Sequence, residues 1–154
     1  MSLQEEVELL RRIPLFAKIE AAKLKLLAFT SERLTYQAGD TLFEQGAVGD
    51  SAYVIIAGSA EVLMDAPGGQ IAVATIDQHQ IVGEIAILCD VPRTATIRAT
   101  GDVVALRISK DHFFRLIEEF PEMAVEIMRE LAQRLEATTL RLREALLAAQ
   151  RGGG

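Results

Sequence analysis

Glu84 and Arg93 stand nine positions apart in the segment 81–100, IVGEIAILCDVPRTATIRAT, and together they suit an anion joined to a sugar. Arg93 offers a planar fork of N–H donors that stays protonated. One hydrogen bond to a charged group contributes about 1.5–3 kcal/mol. Glu84 repels phosphate but accepts well from a ribose hydroxyl. Gly83 ends a strand-like run at 80–82 and lets a ligand approach the main chain. Residues 84–88 read as one short helical turn whose first N–H groups favour phosphate. Ala86 is small enough for phosphate to lie against the backbone. A single arginine matches a single negative charge. A triphosphate asks for a lysine-bearing glycine loop and magnesium carboxylates, and no GxxxxGK[ST] occurs. A 3′,5′-cyclic nucleotide meets both demands, with one charge and one free ribose hydroxyl.

The surrounding pattern must position these groups. Between 33 and 109 short strands are expected at 33–36, 41–44, 52–57, 60–64, 71–76, 95–100 and 103–108. Gly39-Asp40, Gly46, Gly49-Asp50, Gly58, Pro67-Gly68-Gly69 and Gly101-Asp102 punctuate them. Many short, evenly spaced strands indicate a β-barrel or jelly roll. A helical lead-in occupies 3–29, with helices at 3–12 and 21–29 separated by Pro14. Asp111 is expected to cap a helix through Glu119, and Pro121 to open a last helix to about Gln150. The fold class is α+β, mainly β: a jelly-roll-like β-roll with N-terminal helices and a long C-terminal helix, forming one domain over 1–150.

Composition narrows the function classes. The 154 residues are 50% hydrophobic and 25% charged, which fits a globular domain with a real core. A net charge of −6 argues against non-specific nucleic-acid binding. The single cysteine, Cys89, excludes an intrachain disulfide, fits a cytoplasmic setting, and is expected to pack as a small apolar group. No apolar run approaches a membrane span, and 1–6 lack the basic start of a signal peptide. His79 is expected in a loop and His112 exposed in a first helical turn. Their spacing suits no metal, and no catalytic triad or acid pair stands out. A cupin-type enzyme would call for clustered histidines. Only Arg151 and three glycines follow the last helix, so no helix-turn-helix and no direct DNA contact is expected of this chain. The tail 152–154 is expected to lack regular structure.

The motif resembles the phosphate-binding cassette of the cyclic-nucleotide-binding domain family. Val82, Gly83, Glu84, Ile85, Ala86 and Ile87, then Arg93, Thr94, Ala95, Thr96, Ile97, Arg98 and Ala99, follow that family's pattern. The stretch 38–58 resembles its first half, so the likeness covers about 13–135. The resemblance implies that Glu84 binds the ribose 2′-hydroxyl and Arg93 the phosphate. Backbone N–H groups of Glu84, Ile85 and Ala86, with Thr94 and Ala95, complete the cradle. Two departures bear on loop shape rather than on the charged pair. Val82 stands where the family often has Phe, and the turn Asp77-Gln78-His79-Gln80 lacks the usual glycine.

The last helix carries a seam: Ala124, Met128, Leu131, Leu135, Thr138, Leu142, Ala145 and Ala149, alternating four and three as in a coiled coil. The face either packs on the roll or pairs two chains in parallel. A helix of ~40 Å outruns a small barrel, which favours a homodimer. Thr138 interrupts the seam, and a core hydroxyl needs a partner. Residues 134–139 resemble a region of bacterial cyclic-AMP receptor proteins in which a threonine reaches the adenine amino group. The alternative partner for Thr138 is its own helix carbonyl. The expectation is a non-enzymatic sensor of a cyclic nucleotide, cyclic AMP favoured over cyclic GMP, acting without a metal. It would pass binding through its C-terminal helices to an effector domain absent from this chain. The alternative is a dimerisation module that needs no nucleotide.

Overall fold

Alternating residues of one central strand set the layering. In the computed structural model, which describes residues 2–152, that strand is the third of eight among the described residues. Helix α1 (Leu3–Arg11) starts at Ser2, whose hydroxyl accepts from the Glu5 N–H at 3.2 Å. A 3-10 turn (Pro14–Phe16) and α2 (Ala21–Thr30) follow. Then come β1 (Glu32–Tyr36), β2 (Thr41–Phe43), β3 (Ser51–Ala57), β4 (Ala60–Ala66), β5 (Gly69–Ile76) and β6 (Ile81–Val82). Helix α3 (Glu84–Cys89) interrupts the strands before β7 (Thr96–Ala99) and β8 (Val103–Ser109). Helices α4 (Lys110–Glu119) and α5 (Pro121–Gly152) complete the described chain.

The strands form two antiparallel four-stranded sheets, ordered β1-β8-β3-β6 and β2-β7-β4-β5. Successive side chains of a strand point to opposite faces. On β3, Tyr53 and Ile55 face the space between the sheets, while Ala52 and Val54 face the helices. On β8, Val103 and Ala105 take the inner side, Leu106 and Ile108 the outer. The central strands of the first sheet, β3 and β8, are thus packed on both faces. Its outer face packs on Leu10, Phe16, Leu24, Leu27, Phe113, Leu116, Met123 and Ile127 of the helices. The interior between sheets is small and alanine-rich, with Ala60, Ala99 and Ala105 beside Ile55, Ile76 and Ile97. This is the α+β roll expected from the strand pattern.

Several local expectations shift. The strand-like run expected at 80–82 is the short strand β6, an eighth beside the seven between 33 and 109. Helix α4 starts at Lys110, because Ser109 Oγ accepts the His112 N–H at 3.3 Å; Ser109, not Asp111, is the cap. Asp111 lies in the first turn, where a carboxylate suits the helix dipole. His112 is half-buried rather than exposed, and its Nε2 lies 3.2 Å from Thr30 Oγ1. Burial and the nearby Arg115 hold its imidazole below the usual range. Cys89 is exposed rather than packed. Gly152 still belongs to α5, while Gly153 and Gly154 lie outside the described residues.

The apolar packing of helix α5, against α4 and the 3-10 turn among others, covers only its first three turns, through Met123 and Ile127 with Leu131 alongside. Beyond them the seam faces solvent: Leu135 is 68% and Leu142 59% exposed. The face that meets the roll and the coiled-coil seam therefore coincide only near Leu131.

Phe113, fully buried where α4 meets the sheet, fastens the helical layer. Phe113→Ala is expected to remove about 3–5 kcal/mol of unfolding free energy in a denaturant titration. A loss under about 1 kcal/mol would mean that the helices close the resulting cavity.

Candidate ligand-binding site

The segment between β6 and β7 begins with a backbone constraint. Gly83 sits at φ 85°, a left-handed conformation that glycine adopts without strain, and forms the N-cap of α3. A Cβ at Gly83 would lie 2.7 Å from Arg93 Nη1, 3.2 Å from Ser51 O and 3.3 Å from Phe43 Cε2. Space and backbone angle both require glycine. Gly49 shows a second close approach: a Cβ there would lie 2.3 Å from the Ala86 Cβ. The β2–β3 loop and the segment after α3 are laced together, Gly46 N donating to Arg93 O and Arg93 N to Ala47 O, both at 2.8 Å. The turn before β6 keeps its shape without glycine because His79 takes φ 74°, sparsely populated for a side-chain-bearing residue.

Glu84, Arg93, Phe43 and Arg134 line one cleft with Val62, Ile76, Val82, Gly83, Ile85, Ala86, Thr94, Ala95 and Ile97. Glu84 is only 1% exposed. Its Oε1 accepts from Arg134 Nη1 at 2.9 Å, while its buried Oε2 has no hydrogen-bond partner. Burial pushes the Glu84 carboxyl above the usual carboxylate range, with the Arg134 charge opposing. Arg93 is 3% exposed. It donates from Nη1 to Gly83 O at 3.0 Å and from Nη2 to Ser51 Oγ at 3.3 Å, and its Nε is buried without a partner. Burial draws its guanidinium below the ordinary arginine value. A buried charge that lacks part of its hydrogen bonding is costly and is satisfied when a complementary group arrives. One carboxylate oxygen able to accept and one cationic fork able to donate, on the walls of one cleft, can hold a hydroxyl-bearing anion.

Seven of the eight residues expected at the site line this cleft: Gly83, Glu84, Ile85, Ala86, Arg93, Thr94 and Ala95. Thr138 is exposed and donates to its own helix carbonyl, Arg134 O, at 2.8 Å. It lies one helical turn beyond Arg134, on the same face of α5. Sequence reasoning passed over Arg134 itself. From α5 its guanidinium bonds Glu84, Ile81 O and Glu130 Oε1, the last at 2.7 Å. The signal was the Glu130–Arg134 pair four apart, an arrangement that supports a helix and here aims the arginine. Phe43, Val62 and Ile76 were likewise read only as strand residues, and Ile97 only as part of the motif's pattern. Among the described residues no cluster of three or more His, Cys, Asp or Glu could hold a metal ion, and no helix is long and apolar enough to cross a membrane.

A two-sheet roll interrupted by a short glycine-led helix, with a buried acid and base on one cleft, is a nucleotide-sensor architecture. The chain belongs to the cyclic nucleotide-binding domain family, whose family model matches residues 33–120. It is 36% identical over 109 residues to a cAMP-dependent protein kinase regulatory subunit of Blastocladiella emersonii, covering 70% of this chain and 27% of that subunit. It is 29% identical over 140 residues to a CRP-like cAMP-activated global transcriptional regulator of Mycobacterium tuberculosis, covering 90% of this chain and 62% of the regulator. Among solved structures it resembles the Thermus thermophilus catabolite activator protein, with a TM-score of 0.72 and 26% identity over 84% of this chain and 61% of that one. The chain thus spans less than two thirds of these curated relatives. The family is one of regulatory nucleotide-binding domains rather than catalysts.

Glu84 predicts a pH signature. Its folded-state value lies above its ordinary one, so between the two the folded chain keeps a proton that the unfolded chain has lost. Stability therefore falls as pH rises through that window, and the penalty is complete above it. Glu84→Gln, which cannot ionise, is expected to melt at a higher temperature than the wild type at pH 7.5, with the gain shrinking as the pH approaches 4.5. Thermal melts across pH check this. A variant less stable at neutral pH would mean that the Arg134 pairing outweighs the burial.

Proposed function

We propose that this domain binds a 3′,5′-cyclic nucleotide, cyclic AMP in preference to cyclic GMP, and passes binding on through its C-terminal helices. The observation that carries the reading is the set of unmet hydrogen-bonding groups on residues of one cleft: Glu84 Oε2, Arg93 Nε and Arg134 Nε. Arg93 meets the phosphate and Glu84 the ribose 2′-hydroxyl. Gly83, Ile85 and Ala86 offer backbone, and Thr94 and Ala95 close the far side. The ligand is one diffusible anion; no metal is called for.

Arg134 supports transmission. It ties α5 to Glu84 and to the main chain of β6, so a ligand drawing on Glu84 alters what holds the helix. A ligand shifts such an equilibrium by its differential affinity for the two arrangements. Thr138, one turn further along α5, is the residue we assign to the base, and it underlies the preference for adenine. The exposed seam at Met128, Leu135 and Leu142 supports a homodimer through α5, residues 1–150 acting as one unit. An effector domain outside this chain would receive the signal. The same seam favours a second reading, dimerisation independent of nucleotide.

Isothermal titration with cyclic AMP and cyclic GMP tests the first reading. Binding of both, tighter for cyclic AMP, is expected; no heat and no melting shift at millimolar ligand would sink it. Arg93→Ala is expected to weaken binding by at least about tenfold, the loss of one charge-assisted hydrogen bond. Unchanged affinity would remove Arg93 from the phosphate site.

Sedimentation with and without nucleotide separates the two readings. A dimer that nucleotide leaves unchanged, in a protein that binds none, is the second. In either case Leu135→Lys with Leu142→Lys should yield a monomer; a dimer that survives places the interface elsewhere.

A further inference from the structure

An aromatic face and neutral oxygens hold Arg93, rather than a close carboxylate. Its Cζ lies 4.1 Å from the centroid of the Phe43 ring and 5.9 Å from that of Tyr53, the two rings standing 5.6 Å apart. Asp50 is 3.9 Å away and makes a shorter pair, 3.2 Å, with Arg107. The acceptors of the Arg93 fork, Gly83 O and Ser51 Oγ, carry no net charge. A carboxylate at contact distance would neutralise the charge that an incoming anion must meet. An aromatic ring attracts the cation through its quadrupole and leaves the charge intact.

The backbone delivers Phe43 to this place. Pairing of β2 with β7 shifts register between Thr41 and Phe43. Such a bulge re-aims the side chains beside it. The Phe43 ring then presses toward Gly83 from the side where the guanidinium lies.

We propose that Phe43 is a positioning residue for anion binding: its ring fixes the plane of the Arg93 guanidinium without neutralising it, so the fork meets a monoanionic phosphodiester already oriented. The inference rests on reading the cleft as a cyclic-nucleotide site.

Two measurements test it. The first needs no ligand. In the ¹⁵N-edited NMR spectrum of arginine side chains, the Arg93 Nε–H signal of the full chain is expected to be displaced by the ring current of Phe43. The displacement should persist in Phe43→Tyr and shrink to the smaller contribution of the more distant Tyr53 ring in Phe43→Leu; a displacement unchanged in Phe43→Leu overturns the proposal. A wild-type Arg93 signal at the position of free arginine overturns the proposal. The second is a double-mutant cycle followed by calorimetry with cyclic AMP. Phe43→Leu is expected to weaken binding by about tenfold in the wild type and by less than about twofold in an Arg93→Gln background. Phe43→Tyr is expected to restore it. Equal weakening in both backgrounds, or none in the wild type, overturns the role through Arg93. If the wild type binds neither cyclic AMP nor cyclic GMP, the proposed function fails, and the NMR signal alone decides whether Phe43 orients Arg93.

Discussion

Two ionisable side chains withheld from water, neither fully partnered, are the constraint around which the rest of this domain is organised. Removing Glu84 and Arg93 from solvent is unfavourable, and the fold offsets this only in part. Glu84 receives Arg134 on one oxygen and nothing on the other. Arg93 receives two neutral acceptors and an aromatic face. The neighbourhood is shaped by these two groups. Gly83 leaves room for the guanidinium, and Gly49 and Ala86 bring the β2–β3 loop against α3. Two backbone bonds lace that loop to Arg93 itself. A core built for stability alone would fill this volume with hydrocarbon.

The position of α5 follows from the same constraint. Its apolar hold on the roll ends near Leu131, yet the helix continues to Gly152. Past that hold, contact with the roll is polar: Arg134 to Glu84 and Ile81, and Arg141 to the Val73 carbonyl on β5. Polar bonds of half-exposed side chains exchange readily with water, whereas the packed turns at Met123 and Ile127 do not. The helix is thus fixed at one end and held along its middle by bonds that a change at Glu84 can redistribute.

Most of the fold was legible because turn residues and alternation are local signals. Gly39, Gly46, Gly58 and Gly68 all take positive φ, marking the turns between strands. The charged pair was legible because Glu84 and Arg93 sit within one short motif. What escaped depends on distance or on geometry that residue types do not encode. Arg134 meets Glu84 across 50 positions. Phe43 reads as an ordinary strand residue until the register shift turns it toward Arg93. Ser109 and Asp111 are equally good caps by type, and only the start of α4 decides between them. Cys89 was read by its chemistry as interior, but it ends α3 on the outer side.

Strand β6 is the margin of its sheet, paired with β3 on one side and, among the described residues, with no strand on the other. Its free side is occupied by α5: Glu130 accepts from the Ile81 N–H at 3.4 Å, and Arg134 donates to the Ile81 carbonyl. Two side chains of a helix thereby stand in for the neighbouring strand. Unpaired margins invite other chains to add strands and aggregate. The helix that carries Arg134 therefore also guards this edge against the addition of a strand. A state in which α5 lifted away would leave that edge open.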